Sequence, residues 1–236
     1  MCTGRIDLAF VLRCFLKGAD GVLVAGCHLN ECNYITQGNF YALSMASLCR
    51  RLLEHVGISS ERLRIELVSG GEAHRFVEIV NEFSDTVRQL GPVGGEGRDH
   101  DELKKRLEDL AKLVPYIKVQ EKEKLLLRLP TREEHDQLFT REDVEKLLGN
   151  VVSYYIAPDL CQACMMCAKR CPVEAIEGGK ARIHVIDQEK CIKCGRCREV
   201  CPPRFGAVEK ISGEPVPPPL PVDQRTIDRK RKNPRL

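Results

Sequence analysis

The residues best suited to chemistry in this 236-residue chain are cysteines. "CQACMMCAKRCP" at residues 161–172 is followed by "CIKCGRCREVCP" at 191–202, so one run recurs with a period of 30. In each run three cysteines are separated by two residues, a fourth follows after three more, and a proline stands directly behind it. A tetrahedral zinc site usually draws two cysteines from each of two separate short motifs. Three thiolates crowded into one loop instead suit three corners of an iron–sulfur cube whose fourth corner is held from elsewhere. Disulfides fit poorly. Such frameworks belong to small secreted chains without a core, whereas this chain has 13 cysteines, an odd count, and 43% hydrophobic residues. No secretory signal pattern and no run of about 18 apolar residues is visible, which implies a reducing, cytoplasmic location and no membrane insertion.

Over residues 151–210 the chain resembles the dicluster bacterial-type ferredoxins, in which the fourth cysteine of each run ligates the other cluster. That crossing assigns Cys161, Cys164, Cys167 and Cys201 to one [4Fe–4S] centre, and Cys191, Cys194, Cys197 and Cys171 to a second. Each centre would staple together the two halves of a pseudo-symmetric α+β, ferredoxin-like module too small to bury much core, so metal binding and folding are expected to be one event. Ala175 with Ile176, and Ala207 with Val208, sit at matching places and are expected to pack beside the clusters. Between 161 and 201 eight basic and five acidic residues leave a net of +3, more like a fixed wire inside a complex than a diffusing acidic carrier.

Other elements must hold the remaining cysteines. Leu8, Val11, Leu12, Phe15 and Leu16 form a helical stripe within residues 7–17. "GVLVAG", residues 21–26, reads as a strand buried on both faces, and Cys27 stands just past its end, where open α/β sheets place ligands. Residues 40–56 read as a helix, "RLRIELVS" as a half-buried strand, and residues 72–90 as a helix with Phe76, Ile79, Phe83, Val87 and Leu90 on one face. The "SGGEAHRF" string is a plain helix start, because no dinucleotide fingerprint precedes it. The expected class for residues 1–92 is therefore α/β, with few strands for its size. Residues 93–150 read as a charged helical connector, with Leu103, Leu107, Leu110 and Val114 on one face, a break at Pro115, and capping boxes at Thr131/Glu134 and Thr140/Asp143. Residues 151–212 form the dicluster domain. Residues 213–236 are expected to be a disordered proline-rich arm with a basic tip from Arg225 to Arg235.

Cys2-x-Gly4-Arg5, Gly18-Ala-Asp20-Gly21, Gly26-Cys27-His28, Cys32-x-Tyr34 and Gly38-Asn39 make up a long ordered pattern. It resembles the delta subunit of methyl-viologen-reducing hydrogenases over about the first 92 residues. The resemblance implies an incomplete flavodoxin-like domain and a [2Fe–2S] centre whose counterpart ligands here are Cys2, Cys27 and Cys32. Three sulfurs are one short. The family carries a further cysteine-rich strand and helix upstream, so the fourth ligand is expected from residues preceding Met1, from a separate polypeptide, or from Cys14 or Cys49. As lone helical cysteines, the last two also read as small buried hydrophobes. His28 is either a donor to a ligand sulfur or a surface histidine, and Asn33 stands where the family often has histidine.

The same resemblance implies an electron-transfer protein linking a hydrogenase or formate dehydrogenase to the flavin-bearing component of a heterodisulfide-reductase-like assembly, its A subunit. An electron-bifurcating flavoprotein is one form that this partner would take. Catalysis would belong to those partners, since no triad, P-loop or paired-carboxylate site is present. Rival readings are the equivalent component of another such assembly, for example an aromatic acyl-CoA reductase, a cysteine-based redox sensor, and an assembly factor. Nucleic acid is not expected as a partner, because the basic residues are scattered.

Overall fold

The computed structural model describes residues 2–34, 37–95, 100–212 and 214–227. The chain divides into two compact units, residues 1–147 and 148–236.

In the first unit, α1 (Leu8–Leu16) is capped by Asp7, whose carboxylate accepts from the Ala9 N–H at 2.9 Å, and it buries Leu8, Val11, Leu12 and Phe15. β1 (Val22–Gly26) and β2 (Leu63–Leu67) pair in parallel, with Val24 opposite Ile65. Between them runs α2 (Gly38–Val56), the spine of the core, with Leu43, Met45, Leu48, Leu52 and Leu53 fully buried. α3 (Ala73–Leu90) follows β2 and buries Ile79 and Phe83. The order helix, strand, helix, strand, helix is the expected one. β1, however, is not covered on both faces: Ala25 is exposed and forms part of a cavity wall.

Arg62, only 2% exposed, closes this layer. Its guanidinium donates to the carbonyls of Asp20 (2.9 Å), Gly91 (2.8 Å) and Leu90 (3.0 Å), placing a cation at the C-terminus of α3. Arg62→Ala leaves three partly buried carbonyls without this donor. It should cost about 2–4 kcal/mol of stability, read as a lower denaturant midpoint for the helical signal.

The charged stretch that follows is not a free spacer. α4 (His100–Gln120) buries Leu103, Leu107, Leu110 and Val114 and packs on α1 and α2. It also runs straight through Pro115, where a break was expected. Burial of Tyr116 and Ile117 just beyond, with the Lys118–Asp7 ion pair, holds the last turn despite the missing N–H. α5 (Lys122–Leu125), α6 (Arg132–Asp136) and α7 (Arg141–Gly149) complete the unit. The expected box at α7 forms in full, with Thr140 and Asp143 capping one another reciprocally at 3.0 and 3.1 Å; at α6 half of it forms, Thr131 Oγ1 accepting from the Glu134 N–H at 3.3 Å. Glu66 on β2 binds Arg64 (2.7 Å) and Arg132 (2.8 Å), while Arg50 on α2 binds Asp136 (2.6 Å). These ion pairs fasten α6 to the α/β layer.

His135 on α6 is fully buried. Its Nε2 accepts from the Leu129 N–H at 3.3 Å and its Nδ1 lies 2.9 Å from Ser44 Oγ. Burial lowers its pKa from the ordinary 6.5, so the folded state binds this proton less readily than the unfolded chain does. Stability from this residue is therefore present above pH about 6.5 and lost as pH falls below it. A melting series from pH 7.5 to 5 should show that decline, and His135→Gln should flatten it.

In the second unit β3 (Val152–Ile156) pairs antiparallel with β6 (Val208–Ser212), and β4 (Ile176–Gly179) with β5 (Arg182–Ile186). Short helices α8 (Met166–Arg170) and α9 (Arg196–Glu199) pack on each other. The strand preceding the first cysteine run thus pairs with the strand following the second, and the converse holds for the other sheet. Equivalent hydrogen bonds repeat this symmetry: Ala157 N–H to Ala207 O and Asp187 N–H to Ala175 O, both 2.8 Å.

The proline-rich arm departs from expectation. Residues 214–227, which include a 3-10 turn at Val222–Gln224, are docked: Ile183 N–H donates to Arg225 O at 2.7 Å, and Ile227 N–H to Ala181 O at 2.9 Å. Leu220 and Ile227 pack on the unit's core, and the Arg225 side chain pairs with Glu177. Two apolar anchors on an arm already held extended by prolines explain why it adds to β5. The rest of the basic tip, residues 228–236, lies outside the described residues.

Candidate functional site

The N-terminal cysteines meet. Cys2 precedes a short 3-10 turn, Cys27 follows β1, and Cys32 lies in the loop before α2. The sulfurs of Cys2 and Cys32 are 3.6 Å apart, close to the ~3.8 Å expected for two thiolates on one tetrahedral metal at about 2.3 Å. Backbone shape permits this. Gly38, at φ +36°, starts α2 against Cys32, and a Cβ there would stand 2.5 Å from Cys32 Sγ. Gly4, whose N–H reaches Cys2 Sγ at 3.4 Å, packs backbone to backbone on Gly38. These contacts give physical content to the paired Cys-x-Gly and Gly-Asn motifs.

Cys2, Cys27 and Cys32 line a cavity of about 750 Å³, together with Ala25, Glu31, Tyr34 and the Val68–Ala73 turn. Burial, then the neighbouring Cys32, raises the Cys27 pKa. Burial also works to raise that of Cys32, but hydrogen bonds from the Tyr34 backbone and from Cys2 outweigh it and hold the thiol below its ordinary value. Such a sulfur is ready to lose its proton to a metal.

The polar partner of Cys27 is Asn39, to which its place in the sequence pattern gave no role. Fully buried at the start of α2, its Nδ2 donates to Cys27 O (2.8 Å) and His28 O (2.6 Å) and reaches Cys27 Sγ at 3.7 Å. Its Oδ1 is buried with no hydrogen-bond partner. The signal available was a polar residue opening a helix whose next ten residues are almost all buried. His28 instead turns to Glu72, at 2.6 Å, and Glu72 also accepts from the Ser69 N–H at 2.7 Å. Asn33 is exposed. Neither candidate fourth ligand lines the cavity: Cys14 is exposed on α1, contrary to its reading as a buried hydrophobe, and Cys49 is buried in α2 with its pKa pushed up to about 12 by burial.

Cysteines of the two later runs come close to one another. Cys171, Cys191, Cys194 and Cys197 line one cavity, with Ala175, Ile176 and Tyr154 in its wall. Burial raises the Cys167 thiol to about 11, and the thiols that add to this are Cys161, Cys164 and Cys201. Burial raises Cys191 likewise, with Cys194 and Cys171 contributing. Cys197, raised to about 12 by burial and by Cys191, also senses Cys167, as expected where α8 and α9 touch. The two loops share one backbone form: Ala163 and Met165 in the first, and Lys193 and Gly195 in the second, have φ between +50° and +77°. Alternation of this kind turns successive N–H groups inward, as around anionic iron–sulfur centres. Cys191 Sγ accepts from Lys193 N–H at 3.4 Å and Cys171 Sγ from Ala175 N–H at 3.3 Å. Among the described residues no three His, Cys, Asp or Glu side chains are gathered as ligands of a single metal ion.

Residues 1–91 match the family described as "Methyl-viologen-reducing hydrogenase, delta subunit", and residues 153–202 match the "4Fe-4S dicluster domain". The chain is 45% identical over 91 residues to the iron–sulfur D subunit of the vhu F420-non-reducing hydrogenase from Methanococcus maripaludis, covering 39% of this chain and 67% of that relative. The chain belongs to the methyl-viologen-reducing hydrogenase delta-subunit family. The iron–sulfur D subunit of the Archaeoglobus profundus F420-non-reducing hydrogenase is likewise 45% identical over 91 residues, 39% of this chain and 66% of that relative, so the match spans just under two thirds of its length. The A subunit of the ferredoxin/F(420)H(2)-dependent CoB-CoM heterodisulfide reductase from Methanosarcina acetivorans is 41% identical over 96 residues, 41% of this chain but 12% of that protein. The delta-subunit match ends where α3 ends, and the dicluster match lies wholly within the second unit. No helix among the described residues is long and apolar enough to cross a membrane.

Proposed function

We propose that this chain is a cytoplasmic electron-transfer subunit that connects a hydrogenase or a formate dehydrogenase to a flavoprotein resembling the heterodisulfide reductase A subunit, with catalysis in those partners. The observation that carries the reading is a double likeness. The chain is similar over 91 residues to a hydrogenase iron–sulfur subunit and over 96 residues to a small part, 12%, of the A subunit of a heterodisulfide reductase. A protein similar to components of both systems is expected to work between them.

Cys161, Cys164, Cys167 and Cys201 would hold one [4Fe–4S] centre, and Cys191, Cys194, Cys197 and Cys171 the other, within a ferredoxin-like fold. Cys2, Cys27 and Cys32 would hold a [2Fe–2S] centre within a flavodoxin-like domain, with a fourth ligand from outside this set. Bound clusters would supply one-electron carriers. The protein's own part is to deprotonate and space the sulfurs, to aim backbone N–H groups at them, and to cover them with Ala175, Ile176, Ala207 and Val208. Asn39 keeps the Cys27 backbone fixed while its amide faces the sulfur.

Purification through a tag on this chain under exclusion of air tests the reading. A hydrogenase or formate dehydrogenase and a flavoprotein should accompany it, and hydrogen or formate should bleach its visible absorption. Absence of both partners, or absorption that neither donor bleaches, would overturn it.

A further inference from the structure

The two repeats of the second unit carry different side chains at one equivalent position beside their cysteine loops. Tyr154 on β3 and His184 on β5 are 30 residues apart, the period that also relates Cys161 to Cys191 and Met165 to Gly195. Tyr154 lays its hydroxyl against the second loop, where a Cβ on Gly195 would come within 2.7 Å of it. His184, 1% exposed, faces the first loop. Its Nδ1 lies 3.9 Å from Cys161 Sγ and its Nε2 3.2 Å from Met165 Sδ. From behind, Gly178 clamps the ring so closely that a Cβ there would stand 2.5 Å from His184 Cδ2. The imidazole is thus wedged between β4 and two sulfurs, with no room to turn away.

We propose that His184 donates a hydrogen bond from Nδ1 to the ligating sulfur of Cys161. The bond would raise the reduction potential of the centre held by Cys161, Cys164, Cys167 and Cys201 above what its loop alone would set. The inference rests on the crossed two-centre reading. A ligating thiolate is a charged acceptor and a stronger one than the Met165 thioether, so the ring proton belongs on the nitrogen that faces Cys161. A hydrogen bond to a ligand sulfur withdraws negative charge and favours the reduced centre. At the equivalent place in the other half, the Tyr154 hydroxyl packs against the loop at Gly195. The duplicated module would in this way carry two electronically distinct centres from one repeated ligand pattern.

The test is a redox titration of the full chain, isolated air-free and followed by electron paramagnetic resonance, beside His184→Phe. With the full complement of about eight irons retained, the variant should lower one of two midpoints by about a fivefold change in its one-electron equilibrium and leave the other in place. Two unchanged midpoints at full iron content would overturn the proposal. Should the variant lose iron, the unsubstituted chain decides. His184 is the sole histidine of residues 148–236, so histidine labelled with nitrogen-15 should give a pulsed-resonance nitrogen coupling at one [4Fe–4S] signal. No coupling at either overturns the inference. A chain with fewer than about eight irons, or without two [4Fe–4S] signals, contradicts the two-centre reading itself and takes this inference with it.

Discussion

Cys171→Ala is expected to empty the centre surrounded by Cys191, Cys194 and Cys197 and to spare the one surrounded by its own sequence neighbours Cys161, Cys164 and Cys167. The reason is spatial: Cys171 lines a cavity with the three cysteines of the other run, and the Cys167 thiol feels Cys201 from across the module. Iron should fall from about eight to about four atoms per chain, counting only the two cubanes. Pairs of substitutions sharpen the result. Cys171→Ala with Cys191→Ala should cost no more iron than either alone, because both sulfurs serve one centre. Cys171→Ala with Cys161→Ala should remove both. Uncrossed ligation would reverse those two outcomes, and metal analysis of the four proteins distinguishes them.

Removing the iron with a chelator should unfold the second unit and leave the first standing. The second unit's core cluster has nine buried residues, and three of them are Cys161, Cys167 and Cys197. Tyr154, Ile156, Ile183, Ile186, Ala207 and Val208 remain to bury apolar surface, on two sheets of two strands each. Hairpin-sized sheets with so small a core do not hold themselves. Burial also raises Cys167 and Cys197 to about 11 and about 12, so without metal these thiols stay protonated and their sulfurs lose the partner for which the loops are shaped. The first unit differs, because α2 alone contributes Leu43, Leu48, Leu52 and Leu53, all fully buried, to a core that needs no metal. Hydrogen exchange read by mass spectrometry should show residues 152–212 losing protection in the apo chain, while residues 38–67 keep theirs.

Local patterns were readable from the sequence, and long-range ones were not. The cysteine runs betrayed their chemistry because thiolate spacing within one loop is itself the signal. The stripe of α1 placed that helix because burial repeats at 3.6 residues; on α3 the helix forms, but only Ile79 and Phe83 of the expected stripe are buried and Phe76 is exposed. Pro115 misled, since a local rule about the missing N–H was overridden by Tyr116 and Ile117, whose burial depends on helices far back in the chain. The attachment of α6 was hidden for the same reason. Glu66 and Arg132, or Arg50 and Asp136, look like ordinary surface charges until folding brings them together. The role of Asn39 was not legible because one polar residue at a helix start resembles a solvated cap. Only its zero exposure and its contacts with Cys27 reveal a structural role. The difference between Tyr154 and His184 was present in the period of 30 all along, but reading it required knowing that β3 and β5 are equivalent strands.

The most direct test is Mössbauer spectroscopy joined to metal analysis on the full chain, freshly isolated without air and labelled with iron-57. The account predicts at least about eight irons per chain, with two [4Fe–4S] centres making up the main spectrum. Zinc in place of iron, or iron limited to a single four-iron centre, would contradict it.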